Sequence, residues 1–416
     1  MELSTLLISV LIIIAGCFYG IAKILAQKPE GSTADFDEDI SETDVSADSS
    51  EIGAEDTRSF GSKTAPRRGD EQKSGANESK SPKIPSYRLP PAAPRDYVGR
   101  AKDIQEILAE ADLGRNKFLI TGDLETHGVG KTSLALKVTE QLASRHPGGR
   151  VFLDMRGSAS KPLSPAEAMA RLISSRHPKA KLPETEEGLR KGYRRLLQEN
   201  FILILDDAKD TEQVKPLIPP DNYFLIVKKL NPLSAKDAKA LFLKLAPNAS
   251  IMADGIASIC GFIPRALCLS AKLLAFSKEL NPMSFATQFE SLKNRMKEDA
   301  QDNWSPYMEP LVIISLANLE KDTARVFRKL AVFPETFDAK AEEFICQDSD
   351  NFHLNLLAKL DLADYNENTK RFQLDPLVRQ YLNEVLTTGE ETIAKKRYAT
   401  HYLTTLLAAV DYFSKT

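Results

Sequence analysis

The chain reads Phe118-Leu119-Ile120, an apolar run, then Gly128-Val129-Gly130-Lys131-Thr132, then Ser133-Leu134-Ala135-Leu136-Lys137-Val138 with helical periodicity. A strand, a glycine loop and a helix whose N-terminus faces that loop satisfy this order. In such a loop the glycines let backbone N–H groups turn inward as an anion nest. The helix N-terminus adds partial positive charge. Lys131 would then reach the β- and γ-phosphates of a nucleotide, and the Thr132 hydroxyl would ligate Mg²⁺. Gly128, Val129, Gly130 and Ser133 complete the cradle. One position departs from the pattern G-x-x-x-x-G-K-[ST]. Residue 125 is Glu125 where glycine is wanted, and the upstream Gly122 comes three residues too early.

A second acidic element follows. Leu203-Ile204-Leu205-Asp206-Asp207 ends an apolar run in two carboxylates. Alone, that pattern merely ends a strand. In a phosphate-loop architecture such a strand neighbours the phosphate-loop strand, which aims Asp206 at the Mg²⁺ shell and sets Asp207 near an attacking water. The stretches 117–121, 150–154, 201–205 and 223–227 read as strands separated by helical patterns. Uninterrupted apolar strands alternating with helices predict an α/β fold, a parallel sheet with helices on both faces. Ser164-Pro165-Ala166-Glu167 reads as a capping box with proline at the first helical position. After Leu230 the strands stop and helical periodicity runs to about Ala331. Helical stretches then meet short extended pieces near Tyr365 and Phe372, as in a winged helix, and an amphipathic helix closes the chain.

At 416 residues the chain has room for two or three domains. Its 55 Lys and Arg balance 58 Asp and Glu, which excludes a strongly basic nucleic-acid surface. Cys17, Cys260, Cys268 and Cys346 form neither a metal spacing nor a disulfide framework. The first residues pose a different solvent problem. Leu3 to Ala26 is apolar except at Ser4, Thr5, Ser9 and Lys23, about the 20 residues that cross a bilayer. Lys23 and Lys28 follow the segment, so a span would place the N-terminus outside and the remaining domains in the cytoplasm. A cleaved signal peptide lacks its basic leader here. Ile14-Ala15-Gly16-Cys17 resembles a lipobox, yet the hydrophobicity continues past Cys17. From residue 28 to 92 no apolar periodicity survives, and a disordered tether is expected.

From Tyr97 to about Tyr402 the order of motifs resembles the NB-ARC type of STAND ATPase, especially its bacterial transcription-regulator-like members. Tyr97-Val98-Gly99-Arg100 looks like the motif whose backbone borders the adenine. Gly128 to Thr132 looks like the Walker A block, and Leu205-Asp206-Asp207-Ala208 like Walker B. Cys260-Gly261-Phe262-Ile263-Pro264-Arg265 resembles the block whose proline packs on the base. The resemblance implies ATP or ADP with Mg²⁺, bound by Val98, Gly99, Arg100, the loop 128–133 and Pro264. Thr132 and Asp206 would hold the metal, and Asp207 would be the catalytic group. It also implies a nucleotide-binding domain at 93–232, a helical domain at 233–308, a winged helix at 309–387 and a C-terminal helix at 388–416.

Three departures accompany it. The first Walker A glycine is displaced. Val227-Lys228-Lys229 stands where the family has Thr-Ser-Arg, as though a loop were deleted; Lys228 or Lys229 would bring charge but no planar fork. Gln373-Leu374-Asp375 stands where the family has Met-His-Asp, so the histidine that holds the β-phosphate is missing. The expected function is a membrane-anchored ADP/ATP switch in signalling or regulated assembly, with slow or no hydrolysis, acting through a protein partner or self-association. The alternatives are a degenerate scaffold without nucleotide and a DNA-handling ATPase. Against DNA, Arg379 has no dense basic patch around it. His127 reads as a solvent-exposed loop histidine or a phosphate contact, and Trp304 as a linker residue packed on the helical domain.

Overall fold

A computed structural model describes residues 10–15, 90–122, 127–159, 161–218, 225–298, 306–367 and 369–415. Glu125, Trp304 and nearly all of the expected tether lie outside the described residues.

Five parallel strands form one sheet: β1 (Val10–Ala15), β2 (Lys117–Thr121), β3 (Arg150–Asp154), β4 (Ile202–Ala208) and β5 (Leu225–Lys229), in the order β3-β4-β1-β2-β5. Alternate residues feed two cores, as the two-residue period of a strand requires. Phe118, Ile120, Ile202 and Ile204 join α1 (Ala101–Asp112) and α2 (Lys131–Leu142) on one face. Leu119, Leu203 and Leu205 join α3 (Pro165–Arg176) and α4 (Glu186–Leu196) on the other. The capping box opens α3 as expected: Glu167 N donates to Ser164 Oγ at 3.2 Å, and Ser164 N donates to Glu167 Oε2 at 3.0 Å.

The sheet corrects two expectations. The acidic strand β4 does not neighbour the phosphate-loop strand β2, because β1 lies between them. After β4 the chain passes through the short α5 (Thr211–Val214) to β5, which pairs with the far edge of β2. Among its described residues that stretch supplies no strand for the slot between β4 and β2. Val10–Ala15 fills it, pairing Leu11 with Lys117 on one side and with Leu203 on the other. The second correction concerns the membrane. The part of Leu3–Ala26 that is described is a strand, and among the described residues no helix is long and apolar enough to cross a bilayer. The expected anchor, and the orientation deduced from it, therefore have no span to rest on. A central parallel strand and a membrane span both read as an unbroken apolar run, and only length separates them.

Beyond β5 lies a cap of helices: α6 (Ala235–Leu245), α7 (Ala253–Ile259), α8 (Pro264–Phe276), α9 (Pro282–Glu298), α10 (Met308–Asn318), α11 (Lys321–Lys329), α12 (Ala339–Cys346) and α13 (Phe352–Lys359). An antiparallel hairpin of β6 (Asp364–Asn366) and β7 (Arg371–Gln373) follows, then α14 (Pro376–Val385) and α15 (Thr388–Lys415). One continuous apolar core runs through the cap from Leu233 to Ala394. Its mortar is α10, with Met308, Leu311, Val312 and Ile314 all buried. This helix packs on α8 and α9 on one side and on α14 on the other. Each fully buried aliphatic side chain stabilises by roughly 1.5–3 kcal/mol, so pulling α10 from either neighbour would cost several times that of an exposed ion pair, about 0–1 kcal/mol.

Candidate nucleotide-binding site

The C-terminal ends of β2, β3 and β4, where ligands gather in open α/β sheets, open into a cleft of about 2350 Å³ between sheet and cap. That exceeds a drug-sized pocket of roughly 300–1,000 Å³. Val98, Arg100, Gly128 to Ser133, Asp206, Asp207 and Pro264 all line it, so the cleft gathers nearly all of the expected site residues.

The loop owes its shape to its glycines. Gly128 and Gly130 have φ of +84° and +97°, the left-handed region that L side chains avoid. A Cβ on Gly128 would also lie 2.7 Å from Arg265 Cβ. The loop thus meets α8 directly, with Arg265 N donating to Gly128 O at 3.3 Å, while the Pro264 ring faces Gly130. On the other side Arg100 Nη2 donates to Val129 O at 3.0 Å. Gly99 beside it has φ +77° and stands against the Asp237 carboxylate.

Beneath the loop, Thr132 Oγ1 donates to Asp206 Oδ1 at 2.9 Å. Burial lifts the Asp206 carboxyl to about 7; the Asp154 and Asp207 charges add to this, and the Thr132 hydrogen bond opposes it. A hydroxyl and a carboxylate of this kind fit Mg²⁺, and a divalent charge would offset the penalty that burial imposes on the anion. Among the described residues no group of three or more His, Cys, Asp or Glu is arranged to hold a metal. That suits an ion which takes one or two protein ligands and completes its shell with phosphate and water.

Asp207 sits at φ +51°, and its Oδ2 accepts from Ser158 N at 2.9 Å and Ser158 Oγ at 2.7 Å. The carboxylate that was expected to orient water is therefore engaged by the loop after β3. That loop passes very close to β4: Gly157 N donates to Asp207 O at 2.6 Å. A Cβ on Gly157 would lie 2.4 Å from both Asp207 O and Lys209 N. Gly157→Ala is expected to destabilise the chain by about 1–3 kcal/mol through overpacking, measured by urea denaturation. An unchanged midpoint would contradict this close approach.

With this geometry in place, the chain can be set beside known proteins. No family model matches it. It is 24% identical over 270 residues to the regulatory protein AfsR of Streptomyces coelicolor, a match covering 58% of this chain and 27% of that protein. Against AfsR of Streptomyces griseus it is 24% identical over 343 residues, covering 76% and 32% respectively. The chain thus spans about a third or less of the length of these relatives. Among solved structures it is similar to a STAND protein with a tetratricopeptide repeat sensor from Pyrococcus horikoshii. There the identity is 14%, covering 78% of this chain and 47% of that one, with a TM-score of 0.48.

Several side chains lie elsewhere than sequence suggested. Lys228 does not face the phosphate loop: its Nζ lies 2.7 Å from Asp103 Oδ1 and also pairs with Glu106, both on α1. Leu374, at the position of the missing histidine, is buried in the cap core. His127 is no simple exposed loop residue, since its Nε2 lies 2.9 Å from Asp375 Oδ2. Arg265 stands 3.5 Å from the same carboxylate through Nε and 3.2 Å from Asp364 Oδ2 through Nη2. Despite the cost of burial, Arg265 and His127 together hold the Asp375 carboxyl well below the usual carboxylate range. Sequence reading quoted Arg265 only as part of a block. Its signal is an arginine in the first turn of a helix, where the helix dipole disfavours cations unless carboxylates compensate.

Proposed function

We propose that this chain is a nucleotide-binding switch of the STAND and NB-ARC type, holding ADP or ATP with Mg²⁺ and hydrolysing ATP slowly or not at all. The observation that carries the reading is the Thr132–Asp206 hydrogen bond beneath a glycine loop at the mouth of a parallel sheet. Phosphates would rest on the N–H groups of 128–133 with Lys131 as counter-charge, and the base would lie toward Val98, Gly99, Arg100 and Pro264. Thr132 and Asp206 would hold Mg²⁺, which would supply positive charge to offset that of the phosphates.

Support for weak turnover comes from charged side chains that are already engaged. Lys228 is committed to α1, and Asp207 to Ser158. The helices and hairpin of residues 309–387, from α10 to α14, are read as a winged helix that closes on the nucleotide. Its hairpin strand β6 opens with Asp364, paired to Arg265, which argues against DNA reading by this wing. The similarity to two proteins named as regulators supports a regulatory output through a protein partner or self-association.

Calorimetry of the full chain with ADP and with ATP, each with Mg²⁺, tests the proposal. Binding by the wild type and a loss of about 100-fold in Lys131→Ala, roughly 2.7 kcal/mol, are expected. If the wild type binds neither nucleotide, the chain is the degenerate scaffold instead. Duplex DNA binding with a steep salt dependence would favour the DNA-handling alternative.

A further inference from the structure

One edge of the sheet is unpaired. In the order β3-β4-β1-β2-β5, β3 is outermost, and among the described residues it pairs with β4 alone. Ile202 N donates to Gly149 O at 2.9 Å, and Met155 N donates to Asp206 O at 2.7 Å. In a strand every second residue turns its N–H and C=O toward the same side. Gly149, Val151, Leu153 and Met155 therefore serve β4, while the main chains of Arg150, Phe152 and Asp154 face outward. Among the described residues no hydrogen bond reaches those outward N–H and C=O groups. Space lies alongside: Val151, Phe152 and Leu153 border the flank of the cleft together with Ala170 and Ser174, small side chains four residues apart on α3.

The strand is Arg150-Val151-Phe152-Leu153-Asp154, with opposite charges at equal distances from its centre. Edges that carry one sign of charge keep copies apart, because pairing would set like against like. This edge does the reverse. Antiparallel pairing about Phe152 sets Arg150 of each copy opposite Asp154 of the other, and Phe152 opposite Phe152. Each outward residue then exchanges both N–H···O bonds with the residue it faces, and the charged ends attract across the strands. Parallel pairing in register would place Arg150 against Arg150 instead. A two-fold axis generates the antiparallel arrangement, the same surface serving both copies. Both end groups are available for it. Asp154 is exposed and accepts from Arg156 N at 2.8 Å. Arg150 is half-buried and near the charge of Glu140, but among the described residues it forms no ion pair.

We propose that β3 is an interface for a second copy of this chain, and that two sheets join there edge to edge, antiparallel about Phe152. This gives the self-association proposed above its surface and rests on that part of the reading, but it requires no nucleotide. A five-residue edge is a small interface, so association in the range of about 10–100 μM is expected.

The test is sedimentation velocity of the full chain without nucleotide, from about 1 to about 300 μM, a span that brackets that range. Arg150→Asp sets acid against acid, and Asp154→Arg sets base against base. Each substitution alone is expected to weaken association by about tenfold or more. Both together exchange the two ends and set opposite charges face to face again, so association should return to within about threefold of wild type. A wild type that stays monomeric throughout would overturn the proposal. So would a dimer indifferent to either single substitution, or one that the double substitution does not restore. A monomeric chain that still binds ADP in calorimetry would sink this pairing and leave the nucleotide reading standing.

Discussion

Replacing Ile12 by proline is expected to unfold the sheet half. Ile12 is paired with Phe118 of β2 and Ile204 of β4, so it stands in the middle of the sheet with a strand on each side. Proline there removes a ladder N–H, and its ring disrupts the pairing; a central strand tolerates neither. With a partner carbonyl left unsatisfied, the loss should reach about 3 kcal/mol or more, against a total stability of roughly 5–15 kcal/mol for a domain. The substitution lies in a six-residue strand far in sequence from the glycine loop. Urea denaturation followed by circular dichroism, with protease resistance as a second readout, would measure it. If Ile12→Pro leaves the midpoint and the protease pattern of wild type, the N-terminal strand is not part of this sheet.

The second large effect is a stability that falls as pH rises. Glu342 on α12 is fully buried, and Asn351 Nδ2 donates to its Oε2 at 2.8 Å. Burial, with the Asp348 charge adding to it, pushes the carboxyl up to about 7, and the Asn351 hydrogen bond only partly opposes this. The folded chain therefore keeps a proton that the unfolded chain releases near the ordinary glutamate range. Between pH 4.5 and about 7 the native state binds more protons, so this stability is full below about pH 4.5 and is lost as pH rises to about 7. At about 1.4 kcal/mol per pH unit the loss is on the order of 3–4 kcal/mol. Asp206 contributes with the same sign, because burial raises it as well. Glu342→Gln should flatten the Glu342 share of the profile and leave the Asp206 share. An unaltered slope of stability against pH in Glu342→Gln would refute the assignment.

How far the fold was legible can be argued element by element. The strands β2, β3, β4 and β5 announced themselves as apolar runs, and α3 by its capping box, because those signals are local. The cleft residues from Gly128 to Thr132, together with Asp206, were legible for the same reason, since backbone freedom and ligand type are written at single positions. The N-terminal run was ambiguous. Its composition suits a bilayer or the centre of a parallel sheet equally well, and nothing nearby in sequence reveals which neighbours it will have. Lys228 in β5 was misread for a related reason, because α1 brings Asp103 and Glu106 to it from far along the chain. His127, Arg265 and Asp375 form one cluster from three distant segments, and no sequence spacing encodes that meeting.

The sequence alone determined a glycine loop of phosphate-binding pattern, a threonine and an aspartate of the type that suits a hard cation, and a parallel sheet with helices on both faces. These depend on φ angles, side-chain chemistry and hydrophobic period, which are properties of short stretches. Tertiary structure decided which strand separates β4 from β2, where each cation finds its carboxylate, and that α6 to α14 share a single core. Those outcomes depend on burial, and burial is set by segments that meet only once the chain has folded.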